Sequence, residues 1–454
     1  MKQYFLSDFE ANNDGVFDNT EAFAAAFTAI AEGGCLSIGP GTWRTGPITI
    51  SGHDIEVHIH KDAKIVFIPE EGKYIPVYSR WEGINCYCMH PCLYILNSHR
   101  VTIQGEGTLY GSGHYWWDLS LGKRNLKMEP ATETEKRFAL LNPGYKSQGG
   151  GGGGRQSQFL RPPLVQVKDS SDILLEGITL EDSPFWTLHP LYSRNLVFKN
   201  LSIKNPKNAP NTDGIDLDSC ENVTIEGCVI DVGDDGIALK SGSGPDGILT
   251  GRPTKDVRIF QCTVRNAHGG AVIGSETAAG IHNVEVSNCL FDGTDRGIRI
   301  KTRRGRGGKI SHLSFLGLKM VKNLCPLTIN LYYRCGSFSN EDFSLEKLPV
   351  CPETPSVSDI RITDCEAVGC LSSIAFIVGL PESPITGLCI EDCTFSLDQE
   401  ESHPVEESEM YLGLPLPQGR GMRLRNVHLM LKNVSVNGVM NPFEIEENVR
   451  LENS

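Results

Sequence analysis

Four segments of this chain set charged side chains at matching steps of one phrase. They read Thr212-Asp213-Gly214-Ile215-Asp216-Leu217, Asp234-Asp235-Gly236-Ile237-Ala238-Leu239, His268-Gly269-Gly270-Ala271-Val272-Ile273 and Asp295-Arg296-Gly297-Ile298-Arg299-Ile300. Aligned on the glycine, Asp213, Asp234, Asp235 and His268 fall just before it, and Arg299 and Lys301 follow on the last segment. If the segments stack as parallel strands, neighbours lie roughly 4.8 Å apart. An acid cluster then sits beside a cationic cluster in one groove. Cleaving a glycosidic bond takes one carboxylic acid to protonate the leaving oxygen and one carboxylate to assist water or attack carbon. Carboxylates this close cannot all ionise easily, so at least one pKa should rise and supply the acid. The cations suit a substrate that is itself a sugar acid.

His268, one coil after Asp234, is placed to hydrogen-bond a carboxylate and tune its proton affinity. Arg299 aligns with Asp216, Ala238 and Val272, and Lys301 with Asp218, Lys240 and Gly274. By strand alternation both point to the groove. There Arg299 can grip a carboxylate bidentately and Lys301 can act as a point charge. The bland reading of the acids, an asparagine/aspartate ladder that caps turns, does not account for cations in the same register.

These residues need a scaffold that repeats, and the chain supplies one. An alternating apolar run, a polar pair and a second short apolar run recur at Ile173–Leu180 and Leu196–Ile203. Further copies centre on Val223/Ile225/Cys228/Ile230, Val257/Ile259/Cys262/Val264 and Val284/Val286/Cys289/Phe291, with fainter ones near Ile360, Leu388 and Leu429. Alternation at period two reads as strand, and the polar pair reads as a tight turn. Spacing of a few tens of residues is the range of solenoids. Each copy is too short to bury its inner face alone, so stacked copies must share one core. The expected fold class is all-β, a right-handed single-stranded parallel β-helix, as one catalytic domain over residues 1–454. Residues 1–50 form a cap and first coil, with a helix from Thr20 to Ala31 presenting Phe23, Phe27 and Ile30 and using Thr20 as N-cap. Insertions at 111–163, which contains Trp116, Trp117 and the hexaglycine Gly149–Gly154, and at 334–357 should border the groove.

Composition narrows the partners. The formal net charge of -14 argues against nucleic acid, and an acidic substrate needs a local basic patch, for which 301–309 is the candidate. Fifteen cysteines, many at one inward position of the repeat, read as reduced buried thiols and not as a disulfide framework. Cys86, Cys88 and Cys92 with His90 lack the spacing of a zinc ribbon, so neither metal nor other cofactor is expected. Residues 1–10 carry no apolar core of signal-peptide length and no membrane-length apolar run occurs, which sets the expectation of a cytoplasmic protein without membrane contact. Oligomeric state is not legible.

Asn211-Thr212-Asp213, Gly233-Asp234-Asp235, His268-Gly269 and Arg299-Ile300-Lys301 occur in the order and local spacing of the motifs of glycoside hydrolase family 28. The phrases Gly41–Pro47 and Ser183–Pro190 add to the likeness, which covers most of residues 10–335 and resembles a polygalacturonase-type pectin hydrolase of the bacterial exo type. The histidine motif has Ala267 where many members have glycine. The resemblance implies Asp234 as general acid and Asp213 with Asp235 as the pair that holds the attacking water, giving inversion. It implies Arg299 and Lys301 as holders of galacturonate carboxylates, with Asn211 at the site and Tyr332 or Tyr333 against a sugar ring. Trp186 and His189 are candidate subsite contacts, and burial of Trp186 is an equal alternative.

The implied activity is hydrolysis of α-1,4-galacturonosyl linkages in oligogalacturonides from pectin. Rhamnogalacturonan or xylogalacturonan hydrolysis is the near alternative, and Asp235 where rhamnogalacturonan hydrolases tend to carry glutamate favours the first. Pectate lyases share the β-helix but eliminate with calcium and an arginine base, which the Asp234-Asp235 pair disfavours. A non-catalytic carbohydrate-binding β-helix would lack a complete acid set. Exo action follows if the two insertions, with Arg303, Arg304 and Arg306, wall off one groove end and hold a chain terminus.

Overall fold

The structure, a computed structural model, describes residues 2–126, 129–147, 155–336 and 339–453. The hexaglycine run lies outside the described residues. The chain divides into two compact units, essentially residues 1–234 and 235–454, with residues 82–84 belonging to the second.

In the first unit the repeated phrase becomes parallel ladders. Strands Ser171–Glu176, Arg194–Lys199 and Glu221–Glu226 pair with Ile173 opposite Leu196 opposite Val223, and Leu175 opposite Phe198 opposite Ile225. Those six side chains are buried, which stabilises each by about 1.5–3 kcal/mol relative to exposure. The second unit continues the same period. Val257, Val284, Leu313, Ile360 and Leu388 stand in one row, and Leu429 joins it. Parallel strands joined by crossovers of one hand give a right-handed β-helix, because a right-twisted strand returns to its own sheet only that way. Cys228, Cys262, Cys289 and Cys365 are buried between the two short strands of their copies, and Cys393 is buried within the continuous strand Ile385–Leu397.

The Asn/Asp ladder does exist, but away from the acids. Asp172, Asn195 and Asn222 adopt positive φ near 55–58°, and their side chains link at 2.8 and 2.9 Å on the outer surface.

The helix near the N-terminus spans Thr20–Ala29 and buries Phe23 and Phe27, with Ile30 buried just beyond it. Thr20 is not its N-cap. Asn19 holds that position, Thr20 is the first helical residue, and Asp18 Oδ1 accepts both its N–H and its hydroxyl. The sequence reading ran the helix to Ala31; a left-handed turn at Gly33 follows instead.

The first insertion is not only loop. It holds helices Gly113–Leu126 and Glu133–Leu141, the second opened by a Thr132/Glu135 capping box. Trp116 and Trp117 dock it: both are buried, and Trp117 Nε1 donates to the Ser183 carbonyl at 2.9 Å. Among the described residues no helix is long and apolar enough to cross a membrane.

Candidate active site

The glycine of the repeated phrase explains why charged residues precede it. Gly236, Gly270 and Gly297 share one register position. A Cβ there would lie 2.3–2.4 Å from Val264, Phe291 and Met320 respectively, so the backbone runs against the core where only glycine fits. In the first unit Gly233 does the same before Asp234, with the carbonyls of Pro206, Lys207 and Ala209 within 2.8 Å of a virtual Cβ.

Within the first unit, Asp213 and Asp234 have carboxylate oxygens within 4.8 Å of each other. Asp213 is buried at the entrance to strand Ile215–Asp218, where its carbonyl accepts the Thr187 N–H. Asn211, at positive φ, accepts from Arg161 Nη2 at 2.9 Å. His189 and Trp186 are both buried: Trp186 is stacked on Phe185, and His189 Nδ1 lies 2.8 Å from Gln166 Nε2. The sequence left Trp186 between subsite and core, and the structure puts it in an apolar cluster with Trp81 and Phe185. Arg80, which sequence reading did not single out, forms a buried ion pair with Asp218 at 2.6 Å.

Asp235 follows Asp234 directly and opens the second unit. It begins strand Asp235–Lys240, which pairs with Gly269–Gly274, then Arg296–Lys301, then Cys325–Asn330. Arg299 sits opposite Val272 and Lys301 opposite Gly274, as the alignment requires. Both reach across to Asp235: Arg299 Nη1 to Oδ1 at 3.1 Å and Lys301 Nζ to Oδ2 at 2.5 Å. Burial would raise the Asp235 pKa, but Lys301, Arg299 and Lys240 overcome it and hold the carboxyl well below its ordinary range. Asp235 is therefore not the carboxyl of the cluster whose pKa rises, in keeping with its expected place beside the attacking water. Here the cations decide it.

Arg299 is only 1 % exposed, and its other face is taken by Glu409. Nε and Nη2 donate to the two Glu409 oxygens at 3.1 and 2.8 Å. Thr328 Oγ1 and the Met410 N–H also donate to Glu409, at 3.0 and 2.6 Å. Burial opposes its charge, but Arg299 and Arg296 bring its pKa down to about 2. Glu409 comes from residues 398–421, a third excursion that sequence reading missed. The same excursion receives Arg296 through the Glu407 and Ser408 carbonyls. It is tied down by Asn330 Nδ2 donating to the Met410 carbonyl and by the Leu412 N–H donating to Tyr332.

His268 is half-exposed, and its Nδ1 donates to Asp295 Oδ2 at 2.6 Å. Burial would raise the Asp295 pKa, but His268 and Arg296 lower it. Asp295 was readable from the aligned phrase, yet its role as the orienting partner of His268 was not drawn from it. His268, Asp295, Arg296, Arg334 and Glu409 border a cavity of about 490 Å³ in this unit.

The structure separates the two tyrosines. The Tyr333 ring lies 5.6 Å from the Arg299 guanidinium and 5.2 Å from Lys301 Nζ, whereas the Tyr332 hydroxyl donates to Ser344 in the second insertion. Arg303 and Arg304 are engaged on that insertion and do not extend from it. Arg303 donates to the Gly336 carbonyl at 2.5 Å and pairs with Asp342 at 3.3 Å, and Arg304 holds Glu382 at 2.6 and 2.9 Å. Arg306 pairs with Glu276. The expectation that these arginines reach for a substrate terminus gives way to a loop-anchoring arrangement, because loop carbonyls and carboxylates already occupy their donors.

A parallel β-helix with carboxylates beside a carboxylate-bound imidazole and a buried Arg/Lys pair defines a carbohydrate-active enzyme of the glycoside hydrolase class. Comparison with known proteins places it more closely. Residues 146–349 match the family Glycosyl hydrolases family 28. A probable polygalacturonase of Vitis vinifera is 30% identical over 404 residues, 86% of this chain and 74% of that protein. The exopolygalacturonase of Thermotoga maritima superposes with a TM-score of 0.79 at 28% identity, covering 97% of this chain and 93% of that one. A family 28 exopolygalacturonase of Yersinia enterocolitica shares the fold, with a TM-score of 0.72 at 17% identity over 99% of this chain and 77% of that one. The chain belongs to glycosyl hydrolase family 28 and is a hydrolase.

Proposed function

We propose that this protein hydrolyses α-1,4-galacturonosyl linkages in pectin-derived oligogalacturonides from a chain end, with inversion, as a bacterial exo-type enzyme. The observation that carries the reading is the environment of Asp235, buried and held ionised by Arg299 and Lys301 next to Asp234 in the chain. A permanently charged carboxylate suits the handling of water and cannot donate a proton, so the acid role falls to Asp234. Asp213 and Asp235 are the carboxylates that the family resemblance assigns to the attacking water, and His268, oriented by Asp295, serves the acid. Support for the substrate and for exo action comes from the likeness to the Vitis polygalacturonase and the Thermotoga exopolygalacturonase.

Carboxylate oxygens of Asp213 and Asp234 lie within 4.8 Å of each other, and the stereochemical outcome is inversion or retention. Inversion rests on the role of Asp234 as acid to a water held by other carboxylates, and the anomeric configuration of the first product, read by proton NMR, separates the two. Product analysis on polygalacturonate and on oligogalacturonides tests the rest. Monogalacturonate from the first minutes is expected, and an early spread of oligomers would rule out exo action. No rise in reducing ends on either, with turnover of rhamnogalacturonan or xylogalacturonan, would move the substrate. A reducing, cytoplasmic setting is part of the proposal. It rests on fifteen free cysteines, most of them buried. Their oxidation state in protein isolated under alkylating conditions is its test.

A further inference from the structure

Cys35 departs from the inward position of the repeat cysteines. The repeat cysteines lie in the core, but Cys35 is on strand Gly34–Ile38, whose Leu36 and Ile38 face inward, so its side chain takes the outer face. The neighbouring strand His53–Ile59 buries Val57 and Ile59 and turns Glu56 and His58 outward. The parallel register puts Cys35 directly opposite Glu56 and Ser37 opposite His58. Thiol, carboxylate and imidazole thus meet on one face, and a ligand atom from each lies within 4.8 Å of the other two.

We propose that Cys35, Glu56 and His58 form a zinc site. Thiolate, imidazole and carboxylate are the donor types of zinc, and three protein ligands leave a fourth position for water. The distance from His58 Nε2 to Glu56 Oε2 is 3.7 Å. That is too long for a hydrogen bond and near the roughly 3.3 Å between two ligands of a tetrahedral zinc with bonds of about 2 Å. On the next strand Gln104 pairs with His58 in register, and its amide nitrogen lies 3.2 and 3.3 Å from the two ring nitrogens. A divalent cation bound there would deprotonate the thiol and bring the three donors together. Bound zinc would clip two successive coils together and stabilise the folded state only.

The test is zinc titration of the full chain under reducing conditions against a chromophoric chelator, beside Cys35→Ser, His58→Ala and Glu56→Gln. The wild type should take up one equivalent, and Cys35→Ser and His58→Ala should each lose more than about 100-fold in affinity, beyond a typical outer-partner effect. Cobalt in place of zinc should give a thiolate-to-metal band in the near ultraviolet that Cys35→Ser lacks. Thermal transitions without metal establish that each variant is folded, and added zinc should raise the wild-type transition alone. Wild-type protein that binds no zinc, or Cys35→Ser that binds it equally well, overturns the proposal.

Discussion

Replacing Glu409 by glutamine keeps the shape of the side chain and removes the charge that holds the far edge of Arg299. In the native protein two cations, Arg299 and Lys301, face two carboxylates, Asp235 and Glu409. The substitution leaves this buried group with a net positive charge. Breaking a buried pair by removing one partner costs about 3–5 kcal/mol. The Glu409 pKa, brought from 4.5 to about 2 mainly by Arg299 against the cost of burial, corresponds to about 3 kcal/mol by linkage. The two figures agree. Because the folded-state value is depressed, this stability is fully present above the ordinary glutamate value and is lost as pH falls through about 2. Urea denaturation of wild type and Glu409→Gln should therefore differ by about 3 kcal/mol at pH 7, and the gap should shrink steadily below pH 4.5. Arg299 is also released to swing. Misplacement of such a group by about 1 Å can cost about 100-fold in rate, so kcat/KM on oligogalacturonides should fall by that order even where the variant is fully folded. Equal stability of the two proteins at pH 7, or a gap that does not change with pH, would refute the assignment of Glu409 as the charged anchor of Arg299.

Two further variants probe the acids themselves. Asp234→Asn should lower kcat by about 100- to 10,000-fold while oligogalacturonide binding, followed by calorimetry, stays close to wild type; a near-normal rate would remove Asp234 from the acid role. Lys301→Met deletes the 2.5 Å contact that favours the charged form of Asp235. The Asp235 pKa should rise, so the acidic limb of the kcat/KM profile should move to higher pH, and an unmoved limb would show that Asp235 does not govern it.

Much of this was legible in the chain because a parallel β-helix writes its geometry at fixed spacing. Period-two apolar runs gave the ladder from Val257 to Leu388, and the shared glycine gave the register that brings Arg299 and Lys301 into one row beside the residues that follow Gly236 and Gly270. What sequence could not show comes from segments that leave the repeat. Glu409 lies in an excursion without the apolar phrase, more than a hundred residues from its partner Arg299. The fate of Arg303 and Arg304 was hidden for the same reason, since their acceptors are carbonyls and carboxylates of loops. Trp186 is buried by stacking with Phe185, and Trp81 from a distant coil joins the same cluster. Which carboxyl of the cluster stays ionised was not legible from counting acids, because the cations bonded to Asp235 outweigh its like-charged neighbours.

The charge balance at Asp235 changes what the cations are for. A sugar carboxylate that approaches Arg299 meets a guanidinium already bonded to Asp235 and Glu409, so binding there must displace or share a protein carboxylate and gains little net attraction. The buried pair is therefore better suited to keep Asp235 ionised than to draw in substrate from solution. Recognition of the sugar acid then has to rest on groups with exposure, and Arg334, exposed beside the cavity that His268 borders, is the cation placed for it. Long-range attraction is also weak for a chain of net charge -14, so affinity should depend on short, directional bonds and only modestly on salt. The repeat thus fixes where the acids stand, the cations on the neighbouring strand keep Asp235 ionised, and the excursion carrying Glu409 holds one of those cations in place.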